Sequence, residues 1–506
     1  MSSREIQLAE LHSLVADLGK DGGLISPSIY DTAQVARLYP PKEGVEPALQ
    51  WLLDQQQADG GWGEPEAPYA RDVPTLAAVL ALHTYPRYGN NRTAIDAGLA
   101  FLEQQAAQWT EMPIDALPIA TEMILPYLIE EANRIGLQLA REPYAVLYKL
   151  RDRKCRAISA KPLQVGSPPT YSWEALGRQA HTIAPDRSGG IGHSPAATAA
   201  WLRQAEHQPD LADHCVTTRH YLEKAAAATG VGIPGVVPNV WPITGFELSY
   251  SLHALFVSNL FLQPLLGSTL ELQIDRLANI MQKGGGISFG EYFTPDVDAT
   301  GITTAILQTT AYPVNPAEIL KFKHNDHFYT FYEELNPSIL ANAHALYGLA
   351  YTGERYPAAE TFLLHHQCGD GRWLPDKWHH SWIYTTLEVI LALSHLSYPT
   401  AIEHAVESLL AAQKDNGGWG SSTCATLVET SYVIVVLKLL ERRSILNERA
   451  RNALQQGQQW LVDYAHASKP SLERLWLGKE LYRPYRVDRM YELGALLFAS
   501  QEEILL

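Results

Sequence analysis

Apolar residues recur at helical spacing through nearly the whole chain. Leu8, Leu11, Val15 and Leu18 set that register near the start. The same spacing runs through residues 75–82, 94–105, 119–135, 387–396 and 428–440. Sustained alternation of period two, the mark of a half-buried strand, is scarce, and turns rich in Gly, Pro, Asp and Asn separate the apolar runs. The pattern predicts an all-α protein. Residues 248–266 carry no charge but include Ser249, Ser251, His253, Ser258, Asn259 and Gln263. Such polar content reads as a helix buried within a large α protein rather than a membrane span.

A repeat lies on top of this periodicity. Trp51-Leu52 is followed by Gln56, Gly60 and Trp62, and Phe362-Leu363 by Gln367, Gly371 and Trp373 at the same offsets. Leu409 is followed by Gln413, Gly417 and Trp419, with Ser408 in the aromatic slot. Gly457, Trp460 and Leu461 match the front of a further copy, and Gln282, Gly286 and Ser288 the back of another. Glycine permits the left-handed backbone that ends a helix. The glutamine amide is then expected to bond freed backbone groups of the next repeat, with the tryptophan packed beneath. Stacked helix pairs of this kind close into α/α barrels. The repeats fall in two groups, 51–62 and 282–461, which predicts two barrels. Residues 161–169 read as a loop and 230–242 as a domain boundary.

Composition narrows the partners. A net charge of −16 over 506 residues argues against nucleic acid as a partner and against a generally basic membrane-binding face. Cys155, Cys215, Cys368 and Cys424 are scattered without a CxxC pair, so neither a zinc site nor a disulfide framework is expected. The opening Met1-Ser2-Ser3-Arg4-Glu5 lacks the apolar core of a signal peptide, and the cytoplasm is the expected compartment.

The chemistry concentrates in Asp296-Val297-Asp298-Ala299-Thr300-Gly301, shortly after Gly284-Gly285-Gly286. Two neighbouring carboxylates cannot both ionise cheaply, so one tends to stay protonated. A neutral carboxylic acid facing a dry aromatic cavity can protonate an alkene. Gly189-Gly190-Ile191-Gly192 has no preceding strand and is set aside as a nucleotide loop. His365-His366 and His379-His380 are adjacent pairs whose rings diverge on a helix, so shared metal ligation is not expected.

The glutamine–tryptophan repeats and the DxD segment together resemble the terpene cyclases of the squalene-hopene type. At this length the match is to bacterial class II diterpene cyclases of the halimadienyl, kolavenyl and copalyl diphosphate synthase kind. Ser28-Ile29-Tyr30-Asp31-Thr32-Ala33 resembles the SxYDTAW opening, with Gln34 for tryptophan. Residues 71–76 stand where that family has DRxxxTL, and Pro238-Asn239-Val240-Trp241-Pro242 resembles PxVYP. Asp376-Lys377-Trp378-His379 with Tyr384-Thr385-Thr386 resembles DKWH…YTT, and Leu475-Trp476, Lys479, Tyr482 and Pro484-Tyr485-Arg486 resemble LWxxK…LYxPYR. The family's DxDDTA keeps its first acid as Asp296 and its middle acid as Asp298; its last acid is Ala299, as in relatives of the halimadienyl kind.

The resemblance implies two terpene-cyclase barrels. Residues 1–20 form a helix joining the second barrel, 21–230 an inserted γ-like barrel, and 231–506 a β-like barrel with the acid motif. It implies protonation-initiated bicyclisation of geranylgeranyl diphosphate, with Asp298 as donor, Asp296 as its helper and the diphosphate retained. His344, within Pro337-Ser338-Ile339…Asn342-Ala343-His344, resembles a halimadienyl-type segment; the competing reading is a histidine satisfied within a helix. The cation needs aromatic faces, for which Trp241, Tyr292, Trp378, Trp382 and Tyr384 are candidates, with core packing as the competing reading for each. By position in the matching segments, Lys154, Lys479, Arg486 and Arg71 are expected at the diphosphate. Mg2+ is expected to come with the substrate, with Asp72 or Glu64 as its ligand, and a downstream class I terpene synthase as the pathway partner. Asn325-Asp326 with Tyr329 and Glu333 imitates the metal motif of ionising synthases, but no Asp-Asp pair exists to partner it. The competing functions are a triterpene or meroterpenoid cyclase acting without diphosphate, and an isoprenoid-binding barrel impaired by Ala299.

Overall fold

The computed structural model describes residues 3–86, 91–110, 117–261, 263–332, 334, 336–466 and 473–499. Among the described residues the helices are joined by turns and irregular segments, with two antiparallel pairs of two-residue strands, 287–288 with 295–296 and 476–477 with 481–482.

Six helices close a ring in the C-terminal half. Thr244–Val257 packs on Val297–Thr309, which packs on Ile339–Tyr351, then Trp382–Leu396, Leu427–Arg442 and Tyr485–Ala499, which returns to the first. These inner helices are apolar on almost every side because every side is covered. Gly267–Gly284, Pro357–His365, Pro399–Ala411 and Glu448–His466 each pack outside an inner neighbour, and burial on the first three is confined to one stripe. A second ring joins Ile29–Leu38, Asp72–Thr84, Thr121–Arg134, the 3-10 turns of Pro168–Ala175, and Pro195–Ala205. Leu11, Val15 and Leu18 belong to the core of the C-terminal ring, so the helix Ser3–Ala16 packs on Tyr485–Ala499 although the N-terminal ring intervenes in sequence.

The uncharged run near residue 250 is shorter than its composition predicts. Its helix is Thr244–Val257, and Asn259 then takes a left-handed φ of 55°. The polar residues expected late in that helix belong to the turn that follows.

The repeats form one staple used three times. Gln56 Nε2 donates to Gly60 O at 2.8 Å and to Ala94 O at 2.9 Å. Gln367 makes the same pair to Gly371 O and Ala401 O, and Gln413 to Gly417 O and Ala453 O. Beneath each, the indole N–H of Trp62, Trp373 or Trp419 donates to the carbonyl ten residues back, Leu52, Leu363 or Leu409. Gly60, Gly371 and Gly417 have φ of 88°, 96° and 92°, which glycine adopts freely. The segment set aside as a phosphate loop is a degenerate copy of this turn. Asp186 N donates to Gly190 O and Gly189 N to Asp186 O, the bonds that Gln57, Gly60 and Gly61 make. Ile191 N donates to Thr198 Oγ1 as Trp62 N does to Thr75 Oγ1. Gln367→Ala strands two carbonyls and is expected to destabilise by about 1–3 kcal/mol, read as a lower thermal midpoint with the helical circular dichroism retained.

Candidate active site

Asp296 is the N-cap of Val297–Thr309, its Oδ1 accepting the Ala299 N–H at 2.7 Å. That cap places Asp298 in the first turn of an inner helix. Ser338 caps Ile339–Tyr351 in the same way, through Ala341 N–H at 3.0 Å. The two helices touch backbone to backbone: a Cβ on Gly301 would lie 2.3 Å from His344 O, and one on Gly348 2.4 Å from Gly301 O. Only glycine permits that approach, and it brings His344 Nδ1 onto Asp298 Oδ1 in a short contact.

Both residues are buried, with side-chain exposures of 1% for His344 and 8% for Asp298. His344 Nε2 lies 3.1 Å from Glu388 Oε2, close in distance but without hydrogen-bond alignment. Burial works against a charged His344, yet Asp298 and Glu388 outweigh it and push the imidazole up to about 10. Burial, and then the Asp298 charge, push the Asp296 carboxyl well above the usual carboxylate range. Tyr250, on a third inner helix, is raised by burial and then by Asp298 and Asp296.

Beside the acid lies an apolar cavity of about 90 Å³. Its walls come from both rings: Tyr171 and His193 from the first, and Phe289, Phe331, Trp378 and Tyr482 from the second. Trp378 Nε1 donates to Thr330 Oγ1 at 3.2 Å, and Thr330 O accepts the N–H of Val297, next to Asp298. Asp376 links the site to the wall, accepting from Ser338 Oγ at 2.6 Å and from Trp378 N at 2.9 Å. Asp298 is not part of the cavity lining itself; its charge reaches Tyr482, which is.

The structure therefore gathers Asp296, Asp298 and His344 and puts Trp378 on the cavity. Tyr384 is deeper, in a fully buried aromatic group with His379, Tyr432, Trp476 and Tyr491. The other aromatic candidates lie off the cavity. Trp241 packs on Tyr221 in the core of the first ring and donates to Asp21 O at 3.1 Å. Tyr292 is 37% exposed on a turn, and Trp382 covers the Arg372 guanidinium at 5.4 Å.

All four predicted diphosphate cations have a carboxylate partner within the fold, and three of them are largely buried. Lys479 has no exposure and sits against Glu174 at 2.8 Å and Asp31 at 3.6 Å. Arg486 holds Glu247 at 2.9 Å, and Arg71 clasps Asp59 through two bonds of 2.7 and 2.8 Å. Lys479 and Arg486 hold carboxylates with no side-chain exposure, which would be left unpaired if the cation turned to a ligand. Lys154 also has a partner, Glu122, but keeps 39% side-chain exposure. Glu122 lies in the first turn of the helix Thr121–Arg134, which follows Ile119, a residue of the cavity wall.

Neither predicted metal ligand stands in a group of three ligands among the described residues. Asp72 Oδ1 is taken by the donors Trp109 Nε1 and Tyr144 OH, and burial, against those two bonds, raises its carboxyl to about 7. Glu64 stands apart, 3.6 Å from Arg474. Among the described residues, the clusters with metal-ligand spacing are His253–His344–Glu388 and His324–Asp326–His327, and neither contains Asp72 or Glu64. The Asn325-Asp326 imitation forms part of the second cluster, and its Glu333 lies outside the described residues.

Phe289, Phe331, Tyr171 and Tyr482 on the cavity wall escaped the sequence reading as site residues, because nothing local separates them from core aromatics. Glu388 and His253 escaped too, although each is an ionisable residue in the middle of a mostly apolar inner helix, a signal that was available.

Residues 338–435 match the squalene-hopene cyclase C-terminal domain family. The chain is 39% identical, over 99% of both chains, to a (+)-kolavenyl diphosphate synthase of Herpetosiphon aurantiacus. It is 30% identical to a copalyl diphosphate synthase of Streptomyces cyslabdanicus, over 97% of this chain and 95% of that one. Among solved structures it is similar to the ent-copalyl diphosphate synthase of Streptomyces platensis, with a TM-score of 0.79, 28% identity, and 98% and 100% of the two chains covered. With paired carboxyls beside a cavity between two α/α rings, and with relatives matched over nearly its full length, this chain belongs to the bacterial class II diterpene cyclases.

Proposed function

We propose that the protein cyclises geranylgeranyl diphosphate to a bicyclic diterpenyl diphosphate of the kolavenyl or halimadienyl type. The observation that carries this reading is the buried Asp298 carboxyl, in contact with His344 beside an aromatic-walled cavity. Asp298 gives its proton to the terminal alkene. The tertiary cation is attacked by the next alkene, two rings close, and loss of a proton ends the reaction. Product and substrate are isomers, with one proton added and one released, and the diphosphate is untouched. Trp378, Phe289, Phe331 and Tyr482 present ring faces to the cation and keep water out.

Lys154, partly exposed near the cavity wall, is our candidate for the diphosphate end. Magnesium is proposed to arrive chelated by the diphosphate, since Asp72 and Glu64 are not assembled to hold it. A product that keeps its diphosphate calls for a second enzyme that ionises it, a class I synthase. No helix among the described residues is long and apolar enough to cross a membrane. The scattered cysteines, all free of disulfides, support the cytoplasm as the compartment.

The test is incubation with geranylgeranyl diphosphate, with and without Mg2+ chelation, followed by phosphatase and mass spectrometry of the alcohols. A bicyclic diterpene alcohol, formed more slowly after chelation, is expected. Recovery of geranylgeraniol alone would overturn the reading. A bicyclic alcohol formed before phosphatase treatment would instead indicate loss of the diphosphate.

A further inference from the structure

Behind His344 the polar contacts continue onto a third inner helix. Glu388, in Trp382–Leu396, is fully enclosed with 1% exposure. Its Oε2 faces two imidazoles, His253 Nε2 at 3.0 Å and His344 Nε2 at 3.1 Å, while Tyr491 OH donates to Oε1 at 3.1 Å. The groups facing Glu388 are Tyr384 on its own helix, His379 just before that helix, and His253, His344, Tyr347, Tyr432 and Tyr491 on the helices packed around it. It is the carboxylate in this set, and the phenols have no competing negative charge while they keep their protons.

We propose that Glu388 is the positioning residue for the acid: it holds His344 as an imidazolium, so that the Nδ1–H occupies Asp298 Oδ1 and leaves the transferable proton on Oδ2. The inference rests on Asp298 being the proton donor. A neutral His344 facing Glu388 would carry its hydrogen on Nε2 and turn the bare Nδ1 toward Asp298. That lone pair would capture the acid's proton and hold it away from the alkene. A doubly protonated ring donates its Nδ1–H to Asp298 while its other N–H faces the Glu388 charge, and it draws charge from Asp298 and makes it a stronger acid. Glu388 then meets the His344 charge from behind once the proton stands on Asp298. Burial alone would raise Glu388, but the His253 and His344 imidazoles hold it well below the usual carboxylate range. Position 299, the last acid of the motif elsewhere in the family, is alanine here, and a negative charge reaches the site from a different helix.

Nitrogen-15 NMR of histidine-labelled protein tests this directly, with His344 assigned by its loss in His344→Gln. At about pH 8, well above the ordinary histidine range, both ring nitrogens of His344 are expected at imidazolium shifts in the native chain and at neutral shifts in Glu388→Gln. The same substitution is expected to lower kcat about 100-fold, within the range of a general-acid contribution, with KM little changed. Glu388→Asp should recover part of kcat. A neutral His344 in the native chain at that pH overturns the proposal, whatever the variants do. So does an unchanged kcat in Glu388→Gln, or one tightly bound metal ion per chain that is lost in His253→Gln. The spectrum reads the imidazole without reference to product, so its failure is distinct from a failure to cyclise.

Discussion

Asp298→Asn is expected to cut cyclic product formation by about 10²–10⁴-fold, the range attributed to a positioned general acid. Asparagine keeps the shape and can still accept from His344 Nδ1, but it has no acidic proton to give. Substrate binding and folding should survive, because Asp298 does not cap its helix; Asp296 does, through Ala299 N–H. The measurement is the ratio of bicyclic alcohol to geranylgeraniol after phosphatase, with the thermal midpoint as a control. Undiminished cyclic product from a well-folded variant would remove Asp298 from the mechanism. Asp296→Asn is expected to do less, since an amide oxygen can still take the cap bond.

Lys479→Met is expected to destabilise the fold by about 3–5 kcal/mol, the cost of leaving buried charge without its partner. Glu174 and Asp31 would be left facing each other behind Tyr30 and Tyr171, with no exposure for either side chain. Burial already raises Asp31 to about 6 against the pull of Lys479. Removing the ammonium raises it further, so the folded variant binds protons more tightly than the unfolded chain. Its stability is therefore greatest at low pH and falls as pH rises through the folded pKa. The deficit against the native protein should be larger at about pH 8 than at about pH 5.5. Thermal midpoints across that window check it. If Lys479 instead grips diphosphate, the variant keeps its midpoint and raises KM.

Much of the architecture was legible because it is encoded locally. The repeat offsets Gln56, Gly60 and Trp62 specify a left-handed glycine, an amide aimed at two carbonyls and an indole beneath, and each copy forms those bonds independently. The Gly189 turn went unrecognised as a copy because its local sequence lacks the glutamine and tryptophan while its backbone keeps the same turn hydrogen bonds. Site residues divided in the same way. Asp296 and Asp298 stand out as neighbours in sequence. The cations did not reveal their roles, because whether a lysine faces substrate or a buried carboxylate depends on what comes from elsewhere: Glu174 lies 305 residues from Lys479, and Glu247 lies 239 from Arg486.

By itself, then, the sequence determined helical content, the repeated staple and the carboxyl pair, all of which follow from interactions within a few turns of chain. The tertiary structure alone decided which aromatics face the cavity, which charges are already neutralised, and that Glu388 and His253 stand behind His344. Those are matters of three-dimensional proximity. The Gly301–Gly348 contact and the closure of six inner helices bring together atoms that no periodicity along the chain connects.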